Sequence, residues 1–417
     1  MKRALFSLAF SALAGAAMAA GVDTDLPPDG EVARILRAAP DVLAAGNVLR
    51  AEQARRQGLE AGTQEWTLRL TAQQRRAYPP AGVDERFAEQ GLALERPIRL
   101  PGKAALDAEI GALGVAGAEW AEGDAMHERA RALMREWFDW LREQAGAGQW
   151  AEQVQLLARH AAQVERRKQL GDASRLDAVT AAAALAQAEA QFELRRGRER
   201  NAAERLRRRY AGLKLPDKPQ LSEPQPVPGS EAEWTAAIVE NSHELGVARS
   251  QAARARAVAS RAGRDRTPDP SLGLHLMRER GGEDRIIGLS LSIPLPGQAR
   301  RAGADAERAL AEAEANREAA ALQKVTTEAA SLFHEAEAAR LGWSKSRQAA
   351  QSLVQAAAMN ARAYELGEGS LSDVLAARRL AHEAQLAARN AQIDALELHY
   401  RLLLDAHRLW DFDRQED

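Results

Sequence analysis

Catalysis and metal binding need reactive side chains at fixed spacings, and this chain offers few. It contains no cysteine, which removes thiolate nucleophiles, thiolate metal ligands, disulfides and the lipidated cysteine of a lipoprotein. Its eight histidines are scattered. His399 and His407 fall on one seam, without the clustered carboxylates or cysteines that a metal centre would add. No P-loop, nucleophile elbow or zinc-hydrolase motif occurs. The expectation is therefore no catalytic residue, no metal site and no cofactor. The polar residues that do form a pattern are Ser174 with Asp177 and Ser370 with Asp373. They lie in Leu170-Gly171-Asp172-Ala173-Ser174-Arg175-Leu176-Asp177, a turn repeated 196 residues later as Leu366-Gly367-Glu368-Gly369-Ser370-Leu371-Ser372-Asp373.

Two kinds of chemistry suit that pattern. A serine at a helix N-cap with an acid three residues on resembles a capping box, although Glu or Gln is the commoner partner. The acid also gains about 0.3 to 1 kcal/mol from the helix dipole. Alternatively, aspartates multiplied by symmetry form a negative ring that favours cations and impedes anions. The two roles are compatible, and both stay open.

Long helical patterns position the two turns. Aromatic residues make up 5% of the chain and charged residues 28%, which suits extended helices packed by narrow seams better than one large core. Residues 31–62 read as a helix with Pro40 as a kink or restart. From Glu65 the period becomes two: Trp66, Leu68, Leu70 and Ala72 alternate with Thr67, Arg69 and Thr71. After the turn Tyr78-Pro79-Pro80-Ala81-Gly82, a strand carrying Leu92, Leu94 and Ile98 returns to Leu100-Pro101-Gly102, completing a β-hairpin over about 64–100. A proline-free helix follows over 102–170. Within it Gly111, Gly114 and Gly117 serve close helix approach or mark a kink, and Gly146 and Gly148 are further candidate interruptions. A shorter helix runs from 174 to 210.

Residues 212–230 hold five prolines, which suits a linker and neither helix nor central strand. The order then repeats. A helix spans about 231–262. The second hairpin covers about 270–295, with Leu272, Leu274 and Leu276, then Ile287, Leu289, Leu291, Ile293 and Leu295, on one face. A long helix runs over 297–366 and a last helix over 371–410, with Leu386, Ile393 and Tyr400 and then Leu396, Leu403 and Trp410 at heptad spacing. The strand exits Ile98-Arg99-Leu100-Pro101-Gly102-Lys103 and Ile293-Pro294-Leu295-Pro296-Gly297-Gln298 are 195 residues apart. At 1.5 Å per residue each long helix spans about 100 Å. The organisation expected is a first repeat over 20–211, a linker over 212–230 and a second repeat over 231–417.

Lys2 and Arg3, an apolar run from Ala4 to Leu13 and then Ala17-Met18-Ala19 match a cleavable secretory signal over 1–19, the alternative being a first buried helix. No later apolar run is long enough for a membrane-spanning helix. A formal net charge of −2 gives no footprint for nucleic acid. Strands with one aliphatic face suit a lipid-facing barrel wall, which must close because lipid satisfies no backbone polar groups. Four strands are too few to close around a pore, so several chains must pool them. The alternative is a soluble periplasmic coiled-coil adaptor or scaffold with ordinary amphipathic hairpins, although no lipoyl-like β domain is found.

The doubled Leu-Gly-x-x-Ser-x-x-Asp turn, the Ser-Ile-Pro-Leu-Pro-Gly strand exit and the half-chain repeat resemble the TolC-type outer membrane efflux proteins over about 31–410. The chain is most similar to their heavy-metal, Czc-type, RND efflux branch. The resemblance implies a mainly α fold with a small β part. Duplicated helical hairpins would form an α-barrel tunnel, and four strands per chain would enter a trimeric, twelve-stranded outer membrane β-barrel. It implies a homotrimer in outer membrane lipid with a periplasmic extension, passing substrates, heavy-metal cations among them, from an inner-membrane RND-type pump and a periplasmic adaptor. It places Asp177 and Asp373 at the tunnel entrance, with Tyr364 as a partner of Asp177. Gly171, Ser174, Gly367, Gly369 and Ser370 shape the tip turns. Some members carry an arginine where Gly369 stands, and Arg175 is the available substitute.

Overall fold

A computed structural model describes residues 25–412 except Pro79 and Ala81. The secretory signal expected over 1–19 and part of the turn after Tyr78 lie outside the described residues. The first half runs α1 (Asp29–Arg37), α2 (Pro40–Ala61), β1 (Thr67–Ala77), β2 (Glu85–Pro97), α3 (Lys103–Gln169) and α4 (Arg175–Arg209). The second runs α5 (Glu231–Asn241), α6 (His243–Arg264), β3 (Ser271–Glu279), β4 (Asp284–Ser292), α7 (Gln298–Glu365) and α8 (Leu371–Asp405), with a single 3-10 turn between β3 and β4. Residues 211–230 form neither helix nor strand.

Helices α3 and α7, of 67 and 68 residues, are each about 100 Å of unbroken rod. Helices α2 and α4 pack along α3, while α5, α6 and α8 pack along α7, and α6 and α8 also touch α3 to join the halves. Three glycines allow the close approach. A Cβ on Gly111 would lie 3.0 Å from the Arg56 Cα of α2, one on Gly114 2.7 Å from Glu52, and one on Gly117 3.3 Å from the Ser250 Cβ of α6. Gly146 and Gly148 interrupt nothing, because α3 runs through both.

The main core lies in the middle of the rods, where Leu133, Trp137, Phe138 and Leu141 of α3 meet Leu36, Leu206, Tyr210 and Ile393. Its counterpart on α7 consists of Val325, Ala329, Leu332 and Ala336 around Trp234 and Leu402. The apolar positions of the two long helices correspond, but the second repeat fills them with smaller residues and closes the gap with Trp234 from α5. Burial of such side chains stabilises by about 1.5 to 3 kcal/mol each.

Several boundaries differ from the sequence expectation. The helix expected over 231–262 is two helices, because Ser242 takes an extended conformation (ψ 113°) and its hydroxyl accepts from the Leu245 N–H at 3.2 Å. This mirrors the first half, where α2 restarts at Pro40 after α1. The last helix stops at Asp405, five residues short of 410. His407 and Trp410 then take left-handed backbone angles of φ 55° and 51°, so Trp410 joins the core from a turn rather than from the heptad seam. Strand β4 ends at Ser292; Ile293 and Leu295 lie beyond it, where Pro294 and Pro296 offer no N–H to a ladder. The matching Pro-Gly exits also differ, with Gly102 left-handed at φ 84° and Gly297 extended at φ −109°.

The four strands form one antiparallel sheet in the order β1-β2-β3-β4. Its register sets two aliphatic rows straight across all four strands. One is Leu70, Leu92, Leu276 and Ile287; the other is Leu68, Leu94, Leu274 and Leu289. The opposite face carries the row Thr71, Gly91, Met277 and Ile286, the row Arg69, Ala93, His275 and Gly288, and Ser290. Among the described residues no helix is long and apolar enough to cross a membrane.

Candidate functional site

Two distant regions carry the features that bear on function: the sheet, and the tips of the helical rods. The sheet joins the rods through a charged knot. The buried Lys103 ammonium, at the start of α3, donates to Asp269 Oδ1 and to the Thr267 carbonyl, both at 2.8 Å, and pairs with Asp265 at 3.0 Å. Asp269 also accepts from the Leu100 N–H at 3.1 Å. Burial alone would raise the Asp269 carboxyl, but Lys103 and the Leu100 N–H overcome it and hold the group below the usual carboxylate range. One residue thus ties the exit of β2 to the entrance of β3.

Beyond the knot the aliphatic face is bare. Leu70, Ile287 and Leu289 are about three-quarters exposed, and among the described residues no helix covers the rows. The outer strands β1 and β4 each have one neighbour, so each presents a free backbone edge. On the opposite face Glu89 is buried and takes Arg75 at 3.0 Å, and Gln73 donates to it at 2.8 Å. One face therefore suits lipid and the other suits water.

At the far end, about 100 Å along the rods, the two tip turns have one geometry. Helix α3 ends with Gly171 at φ 87° and α7 with Gly367 at φ 82°, a conformation that favours glycine. Asp172 N–H donates to the Arg167 carbonyl at 2.8 Å, and Glu368 N–H to the Ala363 carbonyl at 2.9 Å. Gly171 and Gly367 N–H donate to the Lys168 and Tyr364 carbonyls, both at 3.1 Å. Both turns are Schellman motifs. Ser174 and Ser370 then cap the next helices, accepting from the Asp177 and Asp373 N–H at 3.0 and 3.1 Å. Each aspartate reaches back to the serine N–H, completing two reciprocal capping boxes. Gly369 leaves room beside the backbone of Tyr364, whose N an added Cβ would meet at 3.4 Å.

The structure brings the two tips together. Val164, Ala181 and Leu371 form a small core with Tyr364 against it. Tyr364 faces Arg167, whose guanidinium lies 4.9 Å from the ring centre, and His160, edge-on at 6.2 Å. Burial, with the nearby Arg378 charge, pushes the His160 imidazole below its ordinary value. Within one chain the Asp177 carboxylate is engaged by Ser174 and Tyr364 by Arg167, so these two predicted partners are held by other groups. Arg175 is the exposed first residue of α4, Asp177 is half-buried and Asp373 is exposed. Arg167 and His160 went unnoticed in the sequence because nothing in their spacing marks them. His407, placed with His399 by spacing, instead meets His127 and His243, three residues far apart in the chain that come together in the helical body.

A long helical body, a four-stranded sheet with one bare aliphatic face and paired capped tips make up a fold that solved outer membrane channels share. Solved structures agree. The chain is similar to CusC, described in the context of transmembrane channel formation, with a TM-score of 0.75 and 14% identity over 91% of this chain and 92% of that one. It is similar to the outer membrane protein VceC from Vibrio cholerae, with a TM-score of 0.71 and 18% identity over 91% and 95% of the two chains. The MtrE outer membrane channel of Neisseria gonorrhoeae, in its open state, matches with a TM-score of 0.70 and 16% identity over 91% and 88%. No family model and no curated protein matches by sequence.

Proposed function

We propose that three copies of this chain close their sheets into a twelve-stranded barrel in the outer membrane, with the helices extending into the periplasm as a tunnel. The observation that carries this is the pair of aliphatic rows running unbroken across a sheet whose two edges are open. In lipid such edges must pair. Two copies would give eight strands, an interior that side chains fill, and three give a wider lumen. Strands of nine to thirteen residues suit a tilted membrane span.

The activity is passive conduction within a tripartite efflux system. An inner-membrane pump of the RND type supplies the energy, a periplasmic adaptor meets the helical tips, and this chain supplies the path. Asp177 and Asp373 line the tunnel entrance, held in place by their capping serines, with Tyr364 and Arg167 packing the two tips against each other. Heavy-metal cations are the substrate class carried by the resemblance.

Fractionation and electrophoresis test the reading. The mature protein is expected in the outer membrane fraction, as trimers that survive detergent and dissociate on heating, and to conduct in planar bilayers. Recovery as a monomer in the soluble periplasmic fraction would favour the coiled-coil adaptor or scaffold instead. A deletion strain sensitive to metals but not to drugs is expected if the substrate assignment holds.

A further inference from the structure

Three histidines meet midway along the rods. His127 comes from α3, His243 is the first residue of α6, and His407 lies just beyond α8. One ring nitrogen of each lies within 4.8 Å of one on each of the other two. The His127 and His407 rings stack at 5.2 Å, and His243 and His407 approach to 4.7 Å. The His127 and His407 side chains are only 11% and 8% exposed, and His243 is buried.

The surroundings suit metal ligands rather than inert filler. His127 Nε2 faces Asp405 Oδ1 at 3.3 Å, and His407 Nδ1 faces Asp411 Oδ1 at 3.4 Å. Asp405 is fixed in turn by Arg131 at 2.7 Å. Carboxylates on the outer nitrogens are what orient metal-binding imidazoles. His407 Nε2, the remaining nitrogen of that ring, is buried without a hydrogen-bond partner among the described residues.

Two local departures from regular structure and one small residue build the cluster. The break at Ser242 sets His243 at a helix start, and His407 holds a left-handed φ of 55°. Gly123 makes room, since a Cβ there would lie 2.5 Å from His243 Cδ2. A hollow of about 30 Å³ adjoins the rings, bordered also by Asp124 and Ser242.

We propose that His127, His243 and His407 bind one divalent transition-metal ion of the zinc class per chain, clamping α3, α6 and the segment after α8. Imidazole ligands without thiolates suit Zn2+, Ni2+ or Cu2+, whereas Ca2+ and Mg2+ require oxygen ligands. At about 2.1 Å from each nitrogen, the ion would draw the rings slightly together, and water in the hollow completes a fourth position.

The test uses full-length, tag-free trimer stripped with chelator. Titration with Zn2+ against a chromogenic competitor should give one equivalent per chain and a raised unfolding temperature. Co2+ should give the absorption of a tetrahedral nitrogen site. His127→Gln and His243→Gln should each weaken Zn2+ at least about tenfold, as should Gly123→Ala, which displaces a ligand without removing one. His334→Gln, at an exposed histidine elsewhere, should bind as the parent does. If a cluster variant fails to form trimers, the parent's stoichiometry and Co2+ spectrum decide alone. Absence of tight Zn2+ binding by the parent, or unchanged binding by trimeric His127→Gln and His243→Gln, overturns the proposal.

Discussion

Replacing Leu289 with arginine tests the barrel wall directly. Leu289 sits in the aliphatic row that runs through Leu274, Leu94 and Leu68 and is 76% exposed on the isolated chain. If that face meets lipid near mid-membrane, an arginine there costs about 2 to 4 kcal/mol per chain, or about 6 to 12 kcal/mol for a trimer. If the face meets water, the same change lies at an exposed site and should stay within about 0.5 kcal/mol. The two cases therefore differ by several powers of ten in the folding equilibrium. Ser290→Arg is the matched control, because Ser290 points to the opposite, polar face and sits across from Gly273. Heat dissociation of trimers in detergent, and denaturant unfolding in lipid vesicles, read the difference. Leu289→Arg should lose trimers at much lower temperature while Ser290→Arg stays near the parent. Equal stability of the two variants would refute a lipid-facing aliphatic surface.

Other expectations follow from the tips, the knot and the core. Replacing Asp177 and Asp373 together by alanine should raise single-channel conductance or alter block by divalent cations; unchanged traces would reduce both residues to helix caps. Because Asp269 titrates below its unfolded value of about 3.9, its contribution to stability is present above that value. It is lost as pH falls through the lower folded value. Hydrogen exchange around 97–103 and 265–271 should therefore accelerate in acid, and Asp269→Asn should flatten that response. Trp137 is 2% exposed and its indole N–H donates to the Asp25 carbonyl at 2.7 Å. Trp137→Ala should therefore cost about 3 to 5 kcal/mol, measured by denaturant unfolding, and a loss under 1 kcal/mol would contradict the mid-rod core.

Much of the architecture could be read from local pattern. The period of two in Leu272-Gly273-Leu274-His275-Leu276 can serve a strand but not a helix, and it is β3. The tip turns were equally legible, because glycine in a left-handed C′ position followed by Ser-x-x-Asp is chemistry confined to eight residues. The break at Ser242 was missed because neither proline nor glycine marks it. Asn241-Ser242 followed by an acid at Glu244 was the available sign, a weak one inside an alanine-rich run. The end of α8 was misplaced because the heptad spacing of Leu396, Leu403 and Trp410 continues past the last helical turn. Trp410 reaches the core from a left-handed bend.

The sequence by itself determined the repeat, the length of the rods, the capped tips and the alternation of the strands, since each depends on neighbours within a few turns of chain. Tertiary structure alone decided which side chains meet across long separations. Lys103 finds Asp269, Tyr364 finds Arg167 instead of Asp177, and His127, His243 and His407 come together. The physical reason is that a helix fixes which direction a side chain points, while the partner it reaches depends on how the rods lie against one another. That arrangement is set by small residues such as Gly111, Gly114 and Gly123 at the contacts, whose effect on distance no local period records.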